Sequence, residues 1–152
     1  MTTRTEPNGA NGRGAGPPSL WERSVAEAMH AGVLTCPLEA SLADVAEIMA
    51  AERIHCVVVL SESSGDSPWG VVSDLDLVAA ASVRPVGEQT AGGTAATPVV
   101  VVRPDDTLMR AAQLMTEHAV THLLVAEPDG GLPVGVLSTL DVARALTPAA
   151  GR

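Results

Sequence analysis

The chain contains no lysine, no phenylalanine and no tyrosine, and its aromatic residues are limited to Trp21 and Trp69. Its 152 residues suit one compact domain, and 46% of them are hydrophobic. The core must therefore consist of valine, leucine, alanine and methionine. A planar ring bound by this protein would lie mainly between aliphatic side chains, because so few aromatic rings are available to stack on it.

Positive charge is also scarce. The nine cationic residues are all arginine, and the net charge is −9. An acidic chain without a basic run argues against nucleic acid or an anionic membrane as a partner. No apolar run approaches the roughly 20 residues needed to span a bilayer, and the N-terminus has no apolar stretch of signal-peptide type. We therefore expect a cytoplasmic protein.

The cysteine and histidine spacings do not predict a metal site. Cys36 and Cys56 fit no metal-binding spacing and are expected to be reduced, half-buried thiols. His118 and His122 have the four-residue spacing of a zinc pair on a helix. The helix is expected to end near His118, however, and the spacing then no longer places both rings on one face.

The chain contains an internal repeat. The segments Gly70–Asp76 and Gly135–Asp141 both read Gly-x-x-Ser-x-x-Asp and lie 65 residues apart. Upstream of each lies a matching amphipathic pattern, Ser41–Met49 and Thr107–Met115, with an offset of 66. Self-similarity of this kind predicts one supersecondary unit built twice.

The repeat divides the chain into a disordered tail (1–18), a first unit (19–84) and a second unit (85–152). A short helix is expected to open at Ser19–Glu22 and to end around His30–Gly32. The predicted strands are 33–36, 57–60 and 69–72 in the first unit, and 99–102, 123–126 and 133–137 in the second. The predicted helices are 41–49, 74–82, 107–115 and 141–146, with Ser41 and Thr107 as N-caps. The connector 84–98 carries no strong pattern.

These elements predict an α+β fold, a tandem repeat of two β-α-β-β-α units. One unit of about 60 residues is marginal alone. Two units related by a pseudo-twofold axis can bury their sheet faces against each other. The expected result is one module with two small sheets, a clefted seam and two equivalent pockets.

The repeated Ser-x-x-Asp segment has two interpretations. It is an ordinary helix start, with serine as N-cap and aspartate at the third helical position. It is also suited to a ligand, because a carboxylate accepts hydrogen bonds from two vicinal hydroxyls and free N–H groups at a helix start favour phosphate. Both interpretations remain open from the sequence.

Over residues 20–147 the chain resembles a tandem pair of CBS domains, the cystathionine-β-synthase type regulatory repeat. The resemblance rests on the methionine-ended helices, the valine-rich strands after them and both Gly-x-x-Ser-x-x-Asp segments. The segment Gly32–Pro37 also resembles the family's first ligand-contact segment, whereas Thr97–Val99 departs from its spacing. The resemblance implies binding of adenosine-containing ligands such as AMP, ATP or S-adenosylmethionine.

The resemblance also implies roles for particular residues. Asp76 and Asp141 would hold ribose hydroxyls, with Ser73 and Ser138 as their companions. Residues just before the middle strands, Arg53, His55, Thr121 and His122, would reach phosphate. The complete expected ligand-binding set is Thr35, Arg53, His55, Val57, Ser73, Asp76, Thr97, His122, Leu123, Ser138 and Asp141.

The expected function is a free-standing regulatory module without catalytic activity, cofactor or metal, which binds an adenosyl ligand and signals to an unknown protein target. AMP or S-adenosylmethionine should be favoured over ATP because cations near the motifs are few; Arg84, Arg103 and Arg144 are expected to be solvated surface charges. The last helix of each unit has more apolar residues than one small sheet can cover, which predicts a homodimer; these residues are Leu75, Val78 and Ala79 in the first unit and Leu140, Val142 and Leu146 in the second. The alternative is a structural dimerisation module with empty pockets.

Overall fold

The structure is a computed structural model that describes residues 19–65, 67–129 and 132–148. The predicted tail, 1–18, lies outside the described residues. The first unit contains α1 (Val25–Ala28), β1 (His30–Ala31), β2 (Thr35–Pro37), α2 (Leu42–Glu52), β3 (Cys56–Ser61), β4 (Ser67–Ser73) and α3 (Asp74–Ala81). After a connector that holds α4 (Ala91–Thr94), the second unit contains β5 (Val101–Val102), α5 (Leu108–His118), β6 (His122–Val125), β7 (Gly135–Ser138) and α6 (Thr139–Ala145).

Two small mixed sheets confirm the predicted α+β fold. The first has the order β2-β3-β4, with β2 parallel and β4 antiparallel to β3. The second has the order β1-β7-β6-β5, with β5 parallel to β6 and β7 antiparallel to β6. Strand β1 comes from the first unit but pairs with β7 of the second. The two units are therefore joined by backbone hydrogen bonds as well as by side-chain packing.

The longer helices, α2 and α5, begin where the sequence predicts. The Ser41 hydroxyl accepts a hydrogen bond from the Asp44 N–H at 3.2 Å, and Thr107 caps α5 in the same way through the Arg110 N–H at 3.1 Å. Both helices bury the predicted apolar stripe, and the buried residues are Leu42, Val45 and Met49 in α2 and Leu108, Ala111 and Met115 in α5. Burial of these stripes fixes which face of each helix lies on its sheet.

The central strand of the first sheet, β3, buries both of its faces. On β3, Val57 and Val59 pack into the core of the first unit, whereas Cys56 and Val58 pack between the two sheets together with Leu124. This alternation explains why the strand reads as an uninterrupted apolar run. The layer between the sheets is the predicted seam of the module.

The N-terminal helix prediction was wrong. Helix α1 is one turn long and begins at Val25 with Ser24 as its N-cap, and His30–Ala31 forms a strand instead of a helix end. Tertiary hydrogen bonds override the local pattern here, because the Val25 N–H donates to the Asp106 carbonyl and β1 pairs with β7.

Smaller differences concern element bounds and the connector. The first predicted strand begins at Thr35 instead of residue 33. The connector contains a 3₁₀ turn at Val86–Glu88 as well as helix α4. Within the described part of the chain, none of the helices combines the length and the apolar character that a membrane span requires.

Candidate ligand-binding cleft

A cavity of about 590 Å³ lies at the seam between the two units. From the first unit it is lined by the segment 30–34 and by residues 52–56. From the second unit it is lined by His122, Val136, Ser138, Leu140 and Arg144. The volume falls within the range of about 300–1,000 Å³ that is usual for small-molecule sites. The cavity is thus large enough for a nucleotide-sized ligand.

Two backbone features bring the first-unit residues to this cavity. Helix α2 ends at Arg53 in the left-handed conformation (φ 54°), and the chain then enters β3 directly. Gly32 also has a positive φ of 80°, which a residue with a side chain rarely adopts, and it turns the chain between β1 and β2. Both turns place short polar and apolar segments at the rim.

Both Ser-x-x-Asp segments form capping boxes, which confirms their interpretation as helix starts. In the second unit the Asp141 Oδ2 accepts hydrogen bonds from the Ser138 N–H at 2.8 Å and the Ser138 hydroxyl at 2.9 Å, while the Ser138 Oγ accepts from the Asp141 N–H at 3.2 Å. The contacts of Ser73 with Asp76 have the same three lengths. A role of either aspartate in ligand binding stays a prediction.

Steric crowding requires glycine at the first position of each motif. A Cβ atom added to Gly135 would lie 2.5 Å from the His30 carbonyl oxygen, and one added to Gly70 would lie 2.7 Å from the Ala96 carbonyl oxygen. A segment of backbone therefore crosses each motif at van der Waals contact. His30 pairs with Val136 and Ala96 with Val71, so these two residues occupy equivalent positions in the two halves.

The two motif aspartates differ in the contacts of Oδ1, the carboxylate oxygen that the capping box does not use. The Asp141 Oδ1 lies 2.9 Å from the His30 Nε2, and the Asp141 side chain is 4% exposed. At the equivalent position over Asp76 stands Ala96, which has no donor in its side chain. Within the described residues, no hydrogen bond to the Asp76 Oδ1 is found. The two halves of the module are therefore not chemically equivalent.

Burial and charge determine the protonation of the groups at the cavity. Burial lowers the pKa of His122 below its ordinary value, against the attraction of the Asp74 carboxylate, so this imidazole is neutral near pH 7. Burial, together with the charges of Asp74 and Asp141, raises the pKa of the Cys56 thiol to about 12. The lining also contains the basic residues Arg53 and Arg144 and the acidic residue Glu52.

Asp74 sits beside this cavity and pairs with a histidine. The Asp74 Oδ2 lies 3.0 Å from the His55 Nδ1. Desolvation would raise the pKa of this carboxyl, but the hydrogen bonds from His55 and from the Leu75 N–H outweigh it and keep the pKa below its ordinary value. The pair holds one side of the His55 ring in place at the rim.

The structure brings together only part of the predicted site. Arg53, His55, His122 and Ser138 line the cavity, and Asp141 contacts Ser138 and His30 of its wall. Thr35 and Thr97 are exposed and do not line it, and Ser73 and Asp76 start α3 in the other half. The side chains of Val57 and Leu123 are fully buried in the cores of their units, so a ligand could meet only their backbone groups.

Sequence reasoning missed several wall residues. His30, Glu52, Leu140 and Arg144 all line the cavity. Arg144 is exposed, as expected, but it also lines the cavity. It follows Asp141 by three residues on α6, a spacing that places both on one side of a helix. The spacing from Asp141 could therefore have identified Arg144 as a wall residue from the sequence. For His30 no local signal exists, because its contacts are with the other unit.

These features define a tandem-repeat module with a small-molecule cavity at its seam. The family model of the CBS domain matches residues 25–83 and 94–148, which together make up most of the chain. The chain therefore belongs to the CBS domain family, as its repeat motifs predicted. No curated protein matches the chain.

Solved structures share the fold. A CBS domain protein from Pyrobaculum aerophilum complexed with AMP is 28% identical, with a TM-score of 0.68 over 78% of this chain and 89% of that one. A CBS-domain containing protein from Agrobacterium tumefaciens is 25% identical, with a TM-score of 0.66 over 76% and 84% of the two chains. The hexameric CBS-CP12 protein from bloom-forming cyanobacteria is 24% identical, with a TM-score of 0.72 over 80% and 69%.

Proposed function

We propose that the protein is a regulatory module that binds an adenosine-containing ligand, AMP or S-adenosylmethionine in preference to ATP, in the 590 Å³ cavity at the seam. The observation that carries the proposal is the composition of this cavity, which combines aliphatic walls with Arg53, Arg144 and Ser138. The Pyrobaculum relative, whose structure is complexed with AMP, supports the same ligand class. The role is regulatory rather than catalytic and requires no further cofactor.

Each part of such a ligand has a chemically suitable counterpart. Val33, Leu34 and Val136 offer aliphatic surface for the base. Arg53 and Arg144 offer charged donors for a phosphate, to which guanidinium groups bind in a bidentate manner. The carboxylate of Asp141 can accept hydrogen bonds from ribose hydroxyls. Thr35, Thr97 and the Ser73–Asp76 motif would serve only a second ligand in the other half of the module.

Charge explains the preference for a ligand with few phosphates. The two arginines share the cavity lining with Glu52, and the whole chain carries a net charge of −9. ATP without magnesium brings about four negative charges, which two arginines do not neutralise. AMP brings about two, and S-adenosylmethionine carries a positive sulfonium that the acidic field attracts. His122 adds no charge, because burial keeps its pKa low.

Titration calorimetry in buffer without magnesium tests this proposal. AMP or S-adenosylmethionine should bind more tightly than ATP, and Arg144→Gln should weaken AMP by about tenfold through loss of one charged hydrogen bond. Arg103→Gln is the matched control, because Arg103 is exposed and pairs with Asp105 outside the cavity. Tenfold tighter binding of ATP than of both other ligands would contradict the preference, and no binding of any of the three would contradict the function.

The proposal includes a homodimer that signals to a protein target in the cytoplasm, where nucleotides are available and free thiols such as Cys36 and Cys56 stay reduced. Leu75, Val78 and Leu146 are each more than 60% exposed, and apolar residues of this kind mark interfaces. Val142, which was expected in the same patch, is buried in the core of its unit. Light scattering should give twice the chain mass of 15.5 kDa. A mass of one chain at tens of micromolar would contradict the dimer.

A further inference from the structure

We propose that His30 is a displaceable cover on Asp141 that sets the affinity of the cavity: the histidine occupies the carboxylate oxygen that a ligand hydroxyl needs, and the ligand must move it aside. The inference concerns the same cavity and rests on the proposed function for the identity of the ligand. The contact itself, between the His30 Nε2 and the Asp141 Oδ1 at 2.9 Å, is independent of that identity.

The two partners are unequal in mobility. The Asp141 carboxylate is held by the capping box through its Oδ2, and its side chain is 4% exposed. The His30 side chain is 69% exposed and lines the cavity, so it can rotate into water without opening the core. Movement of His30 would uncover the Asp141 Oδ1 on the side of the cavity, while the capping box keeps the carboxylate oriented.

The other half of the module provides an internal comparison. Ala96 occupies the position over the Ser73–Asp76 motif that His30 occupies over the Ser138–Asp141 motif, because each pairs with the equivalent residue of the neighbouring strand. The carbonyl oxygens of His30 and Ala96 also approach the equivalent glycines, Gly135 and Gly70. The two sites thus share their backbone frame, and the covering side chain is present in one of them.

The cover weakens ligand binding by an amount set by the fraction of molecules in which His30 lies on Asp141. The apparent dissociation constant equals the intrinsic constant divided by the fraction of molecules in which Asp141 is uncovered. A cover that is closed in about nine molecules of ten therefore weakens binding about tenfold. Removal of the imidazole should recover that factor, provided that the ligand itself gains nothing from His30.

Two measurements on the full chain separate the cover from the ligand. The first is labelling of carboxyl groups with a carbodiimide and glycine ethyl ester, followed by mass spectrometry, in which Asp76 serves as the internal reference for Asp141. The second is calorimetry with AMP. His30→Ala removes the cover, Ala96→His places one over Asp76, and His118→Ala is the matched control at an exposed histidine at the end of α5.

In the wild type, Asp141 should be labelled more slowly than Asp76. His30→Ala should raise the ratio of Asp141 to Asp76 labelling several-fold and tighten AMP by about tenfold, whereas His118→Ala should change neither. Ala96→His should lower Asp76 labelling, and it carries the test in the opposite direction if His30→Ala does not fold.

The outcomes distinguish the two ideas. Unchanged Asp141 labelling in His30→Ala overturns the cover, whether or not AMP binds. Raised labelling without AMP binding to any variant supports the cover and contradicts the proposed ligand. Raised labelling with unchanged or weaker AMP binding overturns the effect on affinity, because it shows that His30 does not compete with the ligand.

Discussion

Replacement of Asp141 by alanine should destabilise the protein more than the same replacement of Asp76, although both residues hold the same motif position. Loss of the carboxylate from the capping box costs up to about 1 kcal/mol in either case, as is typical of an acidic side chain in the first turn of a helix. Asp141 additionally loses its contact with the His30 Nε2 at 2.9 Å. Because His30 is largely exposed, solvent screening limits the contribution of this pair to about 1 kcal/mol. We therefore expect losses of about 1 kcal/mol for Asp76→Ala and about 2 kcal/mol for Asp141→Ala.

Urea unfolding of both variants measures this difference, which is expected with unchanged m values. For a chain of this length the thermal midpoints should differ by about 2–4 °C. The double variant of His30→Ala and Asp141→Ala is the control, since it should be little less stable than Asp141→Ala alone if the two side chains act as a pair. Losses for the two single aspartate variants that agree within about 0.3 kcal/mol would show that the contact with His30 does not stabilise the fold.

Three further predictions concern protonation, thiol reactivity and the motif glycine. Burial lowers the pKa of His122 below its ordinary value of 6.5, so the unfolded chain binds the proton more readily than the folded chain. The free energy of unfolding should therefore fall as the pH is lowered from 6.5 through the pKa of the folded state. His122→Gln should reduce this fall, which urea unfolding at several pH values measures. Burial raises the pKa of both Cys36 and Cys56, the latter to about 12, so little thiolate is present in the folded protein at pH 8. The rate of reaction with a disulfide reagent at pH 8 should therefore follow the rate of unfolding. Complete reaction of both thiols within seconds would contradict this expectation. Gly135→Ala should lower the free energy of unfolding in urea by about 1–3 kcal/mol, because its Cβ would meet the His30 carbonyl oxygen. An unchanged free energy of unfolding would show that β1 can shift to accommodate the Cβ.

The longer elements could be predicted because their determinants are local. Ser41 and Thr107 cap helices with clear apolar stripes, and the strand after α2 reads as a valine run. Strand β1 could not be predicted in the same way. Its two residues, His30–Ala31, carry no period of their own and become a strand because β7 of the other unit offers a free edge.

The candidate site shows the same division between local and distant causes. The repeat identified Ser138 and Asp141 as a helix start with a carboxylate near the seam, and this part needed only spacing. The contact of Asp141 with His30 joins residues far apart in the chain, and it depends on the crossing of β1 over Gly135. The difference between the two halves follows from that crossing, so two equal motifs gave two unequal environments.

A crystal structure of the protein grown with saturating AMP would show directly whether the seam cavity is the ligand site. We expect AMP in the seam cavity, with its phosphate near Arg53 and Arg144 and its ribose hydroxyls at Asp141 in place of the His30 ring. An empty seam cavity under those conditions, or AMP bound elsewhere on the molecule, would contradict the proposed site.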